Sequence, residues 1–198
     1  MQHRSEETRS HILDAAYRLF SQEGYAATGV AELCATAGVS KGAFYHHFPS
    51  KQAVFLALME IWLERLDVAF ANARQSASSV EQAVVNMAGM AGSVMSSADV
   101  HPIILLEFWM QAYREPAVWQ AAITPYRRYQ HYFARLVEDG IAEGSLRQVE
   151  PGLAGRVLVS LALGLLMQAV FDTQAIDLAK EASQSLEILM DGLARRAA

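Results

Sequence analysis

Residues 39–51 read VSKGAFYHHFPSK, a run that crowds two serines, a glycine, a tyrosine, two histidines and two lysines into thirteen positions. Two kinds of chemistry fit such a run. One is the packed aromatic corner of a helical protein. The other is a helix end built to meet DNA, where free backbone N–H groups and the helix dipole favour phosphate. The second needs small residues at the start of the helix so that its backbone can approach, and longer polar ones to reach base edges or phosphates. Ser40, Lys41, Gly42 and Ala43 supply the small and polar set. Phe44 and Phe48, four residues apart, would point inward with His47 as anchors, leaving Tyr45 and His46 outward. Lys51, opening the next helix, would lie near enough to hold a backbone phosphate.

Charge and catalytic motifs narrow the choice. The 198-residue chain has a net charge of −5 and 53% hydrophobic residues, so it can bury a large core but cannot coat nucleic acid by bulk charge. Residues 1–51 hold five Lys/Arg and five Asp/Glu, so DNA binding would rest on a few placed contacts and on pairing of two copies. Hydrolase, metalloprotease and phosphate-loop motifs are absent from the sequence, which speaks against an enzyme and against a bound cofactor. His46 and His47 are adjacent, are expected on different helix faces, and so make a poor metal pair. The single cysteine, Cys34, excludes an intrachain disulfide and is expected as a small core residue in a reducing compartment. MQHRSEETRS at the start is not signal-like, and the uncharged run 157–171 is bounded by Arg156 and Asp172. A soluble cytoplasmic protein with no membrane partner is expected.

The elements that must position these residues are helices. Apolar spacing predicts one over 5–23, with Ile12, Ala16, Leu19 and Phe20 on one face and Gly24 closing it. A short second helix follows, with Thr28 as its expected N-cap; Gly38 then turns the chain, and Ser40 caps the third helix. Pro49 stops that helix, and Ser50 caps a fourth running to about 77. Further helices are expected near 79–97, 101–114, 116–141, 151–172 and 175–196. The fold class is therefore all-α: a three-helix helix-turn-helix domain over 1–50, then a larger helical domain over 51–198.

The segment TRSHILDAAYRLFSQEGYAATGVAELCATAGVSKGAFYHHFPSKQAVFLALME, residues 8–60, resembles the N-terminal domain of the tetracycline-repressor (TetR) family. The likeness is carried by the Gly-Tyr end of the first helix, the Thr-x-Val opening of the second, AGVSKG and FYHHFPSK, over about a quarter of the chain. It implies that the third helix reads the major groove. Ser40, Lys41, Gly42 and Ala43 would then meet the DNA, Tyr45 and His46 would contact phosphates or base edges, and Lys51 a phosphate. Thr28 would steady the start of the second helix and touch the DNA backbone. Leu33-Cys34 stands where Ile-Ala is usual, and Gly29 follows the threonine. The implied activity is that of a transcriptional repressor. It would bind double-stranded DNA at an inverted repeat as a homodimer and be released by a small-molecule effector.

The C-terminal half resembles the family more weakly, through LLEFWMQAYREP and AEGSLRQVEP. In the last two helices, Leu153, Val157, Leu161 and Leu165, with Leu178, Ala182, Leu186 and Leu189, form stripes that a second copy could cover as a four-helix bundle. For an effector pocket the candidates are Met87, Met90, Glu107, Phe108, Trp109, Tyr113, Tyr129 and Phe133, flexible or polar-tipped side chains in the middle of the chain. A stripe of such residues is also ordinary core. Glu107 sits in the apolar run IILLEFWM and needs a partner. Either it pairs with Arg114, Arg127 or Arg128, or it anchors a ligand that bears a donor or a positive charge. A DNA-binding protein with a collapsed, ligand-free C-terminal core is the other reading of the same pattern.

Overall fold

The structure, a computed structural model, describes residues 2–97, 102–171 and 177–193, and among them every extended element is helical. The helices are α1 (Gln2–Glu23), α2 (Val30–Ala37), α3 (Lys41–His47), α4 (Lys51–Ser76), α5 (Val80–Ser97), α6 (Pro102–Ala112), α7 (Pro116–Glu143), α8 (Pro151–Phe171) and α9 (Leu178–Leu193). The described residues fall into two compact units. The first takes in 1–63 and 99–122, the second 64–98 and 123–198.

In the first unit, Ile12, Ala16 and Phe20 recur at four-residue intervals on α1 and are fully or almost fully buried against Leu33, Phe44 and Val54. Cys34 lies in the same core. The α2–α3 corner is made by Gly38, whose φ of 67° only glycine adopts without strain. Its N–H donates to the Ala35 carbonyl and that of Val39 to Cys34, closing the end of α2. Ser40 Oγ accepts from the Ala43 N–H at 3.1 Å and starts α3; Ser50 caps α4 in the same way through Ala53. The N-cap of α2 is Gly29, not Thr28. Glu32 reaches back to the Gly29 N–H, while the Thr28 hydroxyl donates to the Gly24 carbonyl at 2.9 Å.

In the second unit α5 packs along α9, and Ala88, Leu165 and Ala182 form a small core with Leu161 and Leu186 against it. A Cβ at Gly155 would lie 2.7 Å from the Ala134 backbone nitrogen, so only glycine allows α8 to cross α7 this closely. α8 starts at Pro151, six residues ahead of the uncharged run, and over this length it is long and apolar enough to cross a membrane by length and composition only. Its packing on α5, α7 and α9 uses one side of it as core.

Candidate nucleic-acid interface

α3 is two turns of helix with a buried side and an open side. Phe44 and Phe48 are buried and hold it to the core, and Arg9 of α1 lies over the Phe48 ring. Lys41, Gly42, Tyr45 and His46 are exposed, and Ala43 is half-buried beside them. Tyr45, 54% exposed, stands edge-on against Phe44. Six of the expected DNA contacts, Ser40, Lys41, Gly42, Ala43, Tyr45 and His46, therefore share one end of the first unit. A Cβ on Gly42 would meet nothing nearer than Ser40 Oγ at 3.8 Å, so the glycine leaves bare backbone at the surface instead of relieving a clash. The His46 and His47 rings do not diverge as expected; their centroids are 5.1 Å apart, edge to face. Among the described residues no third metal-ligating side chain joins them.

The two remaining expected contacts are placed differently. Thr28 is buried to 1% exposure with its hydroxyl turned inward, so it shapes the loop before α2 and presents no side chain outward. Lys51 is half-buried. Its ammonium donates to the carbonyls of Tyr25 (2.7 Å) and Thr28 (2.8 Å), more distantly to Ala26 (3.4 Å), and lies 4.4 Å from the centre of the Tyr25 ring. Burial lowers its pKa, and the Glu107 carboxylate works against that shift.

Glu107 of α6 has none of the arginine partners expected for it. Its Oε2 accepts from the Tyr25 N–H at 2.8 Å and the Ala26 N–H at 3.4 Å. Gly24, at φ 87°, brings the loop so close that a Cβ there would lie 3.0 Å from both carboxylate oxygens. Tyr25 itself is buried edge-on against Phe20, Phe55 and Phe108. Burial, with Glu115 adding to it, pushes its hydroxyl pKa up to about 12.

The candidate effector residues are not gathered in one place. Phe108 and Trp109 belong to the core of the first unit, and Tyr113 is 73% exposed. In the second unit Asp67, Phe70, Ala71, Arg74, Gln75, Arg128, Tyr129 and Tyr132 line a cavity of about 460 Å³; of the candidates, Tyr129 alone is among them. Its hydroxyl donates to Asp67 at 2.8 Å, and Asp67 pairs with Arg128 at 2.9 Å. Phe133 packs edge-on behind Phe70, Met87 is buried, and Met90 is half-buried. Asp67 and Arg74 of α4 and Arg128 of α7 were not among the candidates, because side chains that meet only in the folded unit are not marked within either helix.

The α8–α9 stripes also divide. Leu153 and Val157 are exposed at 54% and 41%, whereas Leu165 and Ala182 are buried inside the unit because α5 covers that side. Leu161, Leu186 and Leu189 are half-buried, and the Leu178 side chain lies outside the described residues.

A capped helix with an open polar face, set by a glycine corner on a buried three-helix core, defines a helix-turn-helix DNA-binding protein. Residues 12–58 match the family described as bacterial regulatory proteins, tetR family. The chain is 26% identical over 196 residues to the HTH-type transcriptional regulator UidR of Escherichia coli (strain K12), covering 98% of this chain and 96% of that protein. It is 50% identical over 58 residues to the regulator AcrR of Shigella flexneri, covering 29% of this chain and 26% of that one. A TetR transcription regulator from Haloarcula marismortui ATCC 43049 has the same fold, with a TM-score of 0.80 and 20% identity over 96% of this chain and all of that one. Residues 12–58 thus match the DNA-binding domain of the tetR family, and over nearly its whole length the chain is similar to an HTH-type regulator of transcription.

Proposed function

We propose that the protein is a repressor that binds an inverted-repeat operator as a homodimer and leaves it when a small molecule binds. The observation that carries this reading is the open face of α3, where Lys41, Gly42, Tyr45 and His46 are exposed while Phe44 and Phe48 anchor the helix from behind. In this reading Lys41 and Ala43 meet base edges, and Tyr45 and His46 hold phosphates. Pairing is supported by the apolar surface left on α8 and α9. Leu153, Val157, Phe171 and Ile188 are all exposed large side chains, and 28% of the most apolar window of α8 is buried. A second copy covering that face would relate two α3 helices by a two-fold axis and set them in successive major grooves, roughly 34–36 Å apart. Release is supported by the cavity of the second unit, whose aromatic wall and charged rim give a small molecule both area and direction. The effector must prefer a spacing of the α3 helices that no longer fits the grooves, since equal affinity for both states shifts nothing. Selection of bound duplexes from a random pool, followed by a small-molecule screen for release, tests the reading. Sites without an inverted repeat would remove the homodimer, and an effector that strengthens binding would reverse the sense of control.

A further inference from the structure

The loop of residues 24–28, between α1 and α2, is gripped from two sides by side chains far apart in the sequence. Glu107 of α6 takes the N–H groups of Tyr25 and Ala26, and Lys51 of α4 takes the carbonyls of Tyr25, Ala26 and Thr28. An ammonium has three hydrogens to give. Here they face three backbone carbonyls, and the aromatic face of Tyr25 lies at cation–π distance as well. A phosphate at Lys51 would have to displace at least one of these partners. Gly24 has the backbone conformation and the missing Cβ that let the carboxylate come this near. The gripped loop runs directly into α2, and α2 hands over to α3 through the Gly38 corner. The position of the loop therefore sets the position of the exposed face.

We propose that Glu107 and Lys51 form a two-sided clasp on residues 24–28 that positions α2 and α3, and that Lys51 serves DNA binding as a positioning residue rather than as a phosphate ligand. The inference rests on the reading of α3 as the DNA-contacting helix, but the clasp itself can be tested without DNA. Glu107 thereby also leaves the set of effector-anchoring candidates.

Two measurements test it. In the DNA-free protein, hydrogen exchange of the Tyr25 and Ala26 amides should speed up about tenfold or more in Glu107→Ala. Glu107→Gln, which keeps an acceptor oxygen, should restore part of the protection. Unchanged exchange at both amides in a folded Glu107→Ala protein would overturn the clasp, whether or not the chain binds any duplex. On a duplex selected from a random pool, Lys51→Met should bind about tenfold more weakly at temperatures well below melting. The slope of log affinity against log salt should stay that of the wild type. Loss of a phosphate contact would instead reduce that slope by about 0.9. A reduced slope would make Lys51 a phosphate ligand and sink its positioning role, and so would full affinity in Lys51→Met. If Lys51→Met fails to fold, Glu107→Gln carries the same comparison. It should weaken binding at unchanged slope, and full affinity alongside a lowered melting temperature would reduce the clasp to a structural brace.

Discussion

Gly24 combines two demands that no other residue meets. Its φ of 87° is strained for any side chain, and a Cβ there would press on both oxygens of Glu107 at 3.0 Å. Gly24→Ala should therefore destabilise the protein by about 1–3 kcal/mol in urea denaturation. Part of that loss should disappear in the Glu107→Ala background, because the steric share needs both partners. On α3 the exposed residues should divide by role. Tyr45→Phe keeps the ring that leans on Phe44 and removes only the hydroxyl. It should weaken selected and random duplexes alike, as a phosphate contact does. A loss confined to the selected duplex would make Tyr45 a base reader.

At the scale of elements, the helices close where local chemistry closes them. Ser40 and Ser50 bond to the N–H three residues on, Gly38 takes the left-handed turn, and α3 ends two residues before Pro49. Such signals lie within a few residues of each other, so most helix ends and the helix-turn-helix were legible in the sequence. What joins distant segments was not. The carboxylate of Glu107 was legible as one needing a partner, yet its partners are backbone N–H groups 82 and 81 residues away, which carry no residue-type signal. The effector candidates were chosen by side-chain type, and type does not say which unit a residue packs into. Thr28 resembles an N-cap, but Gly29 takes that place and the threonine closes the loop behind it. Gly155 is a third case: nothing nearby marks it, yet it touches the α7 backbone, so Gly155→Ala should cost about 1–3 kcal/mol by overpacking. The α7 end adds a pH dependence. Hydrogen bonds from the Val80 N–H and the Ser145 hydroxyl hold Glu143 below its ordinary carboxylate pKa. A lowered folded-state pKa stabilises above the unfolded value, and the gain is lost as pH falls through the folded one. Melting temperatures of wild type and Glu143→Gln should thus differ at neutral pH and converge as pH falls through the lowered carboxylate pKa. A constant difference across that range would assign the effect to packing.

For the whole molecule, the question is what covers the apolar face of α8 and α9. Leu153, Val157 and Ile188 would meet a second copy, and a charge placed there would be buried without a partner. Val157→Glu should therefore shift the sedimenting species from dimer to monomer and remove most affinity for the selected operator, since one α3 reaches only half of it. A monomeric wild type, or a Val157→Glu dimer, would move the interface elsewhere. The central claim, that two symmetric copies of α3 read the DNA, is tested most directly by repeating the random-pool selection with Lys41→Ala and with Ala43→Gln. The account predicts that each consensus changes at a few base pairs, at mirror-related positions in both half-sites, while the half-site spacing stays fixed. A consensus unchanged in both variants, or changed on one side only, would contradict it.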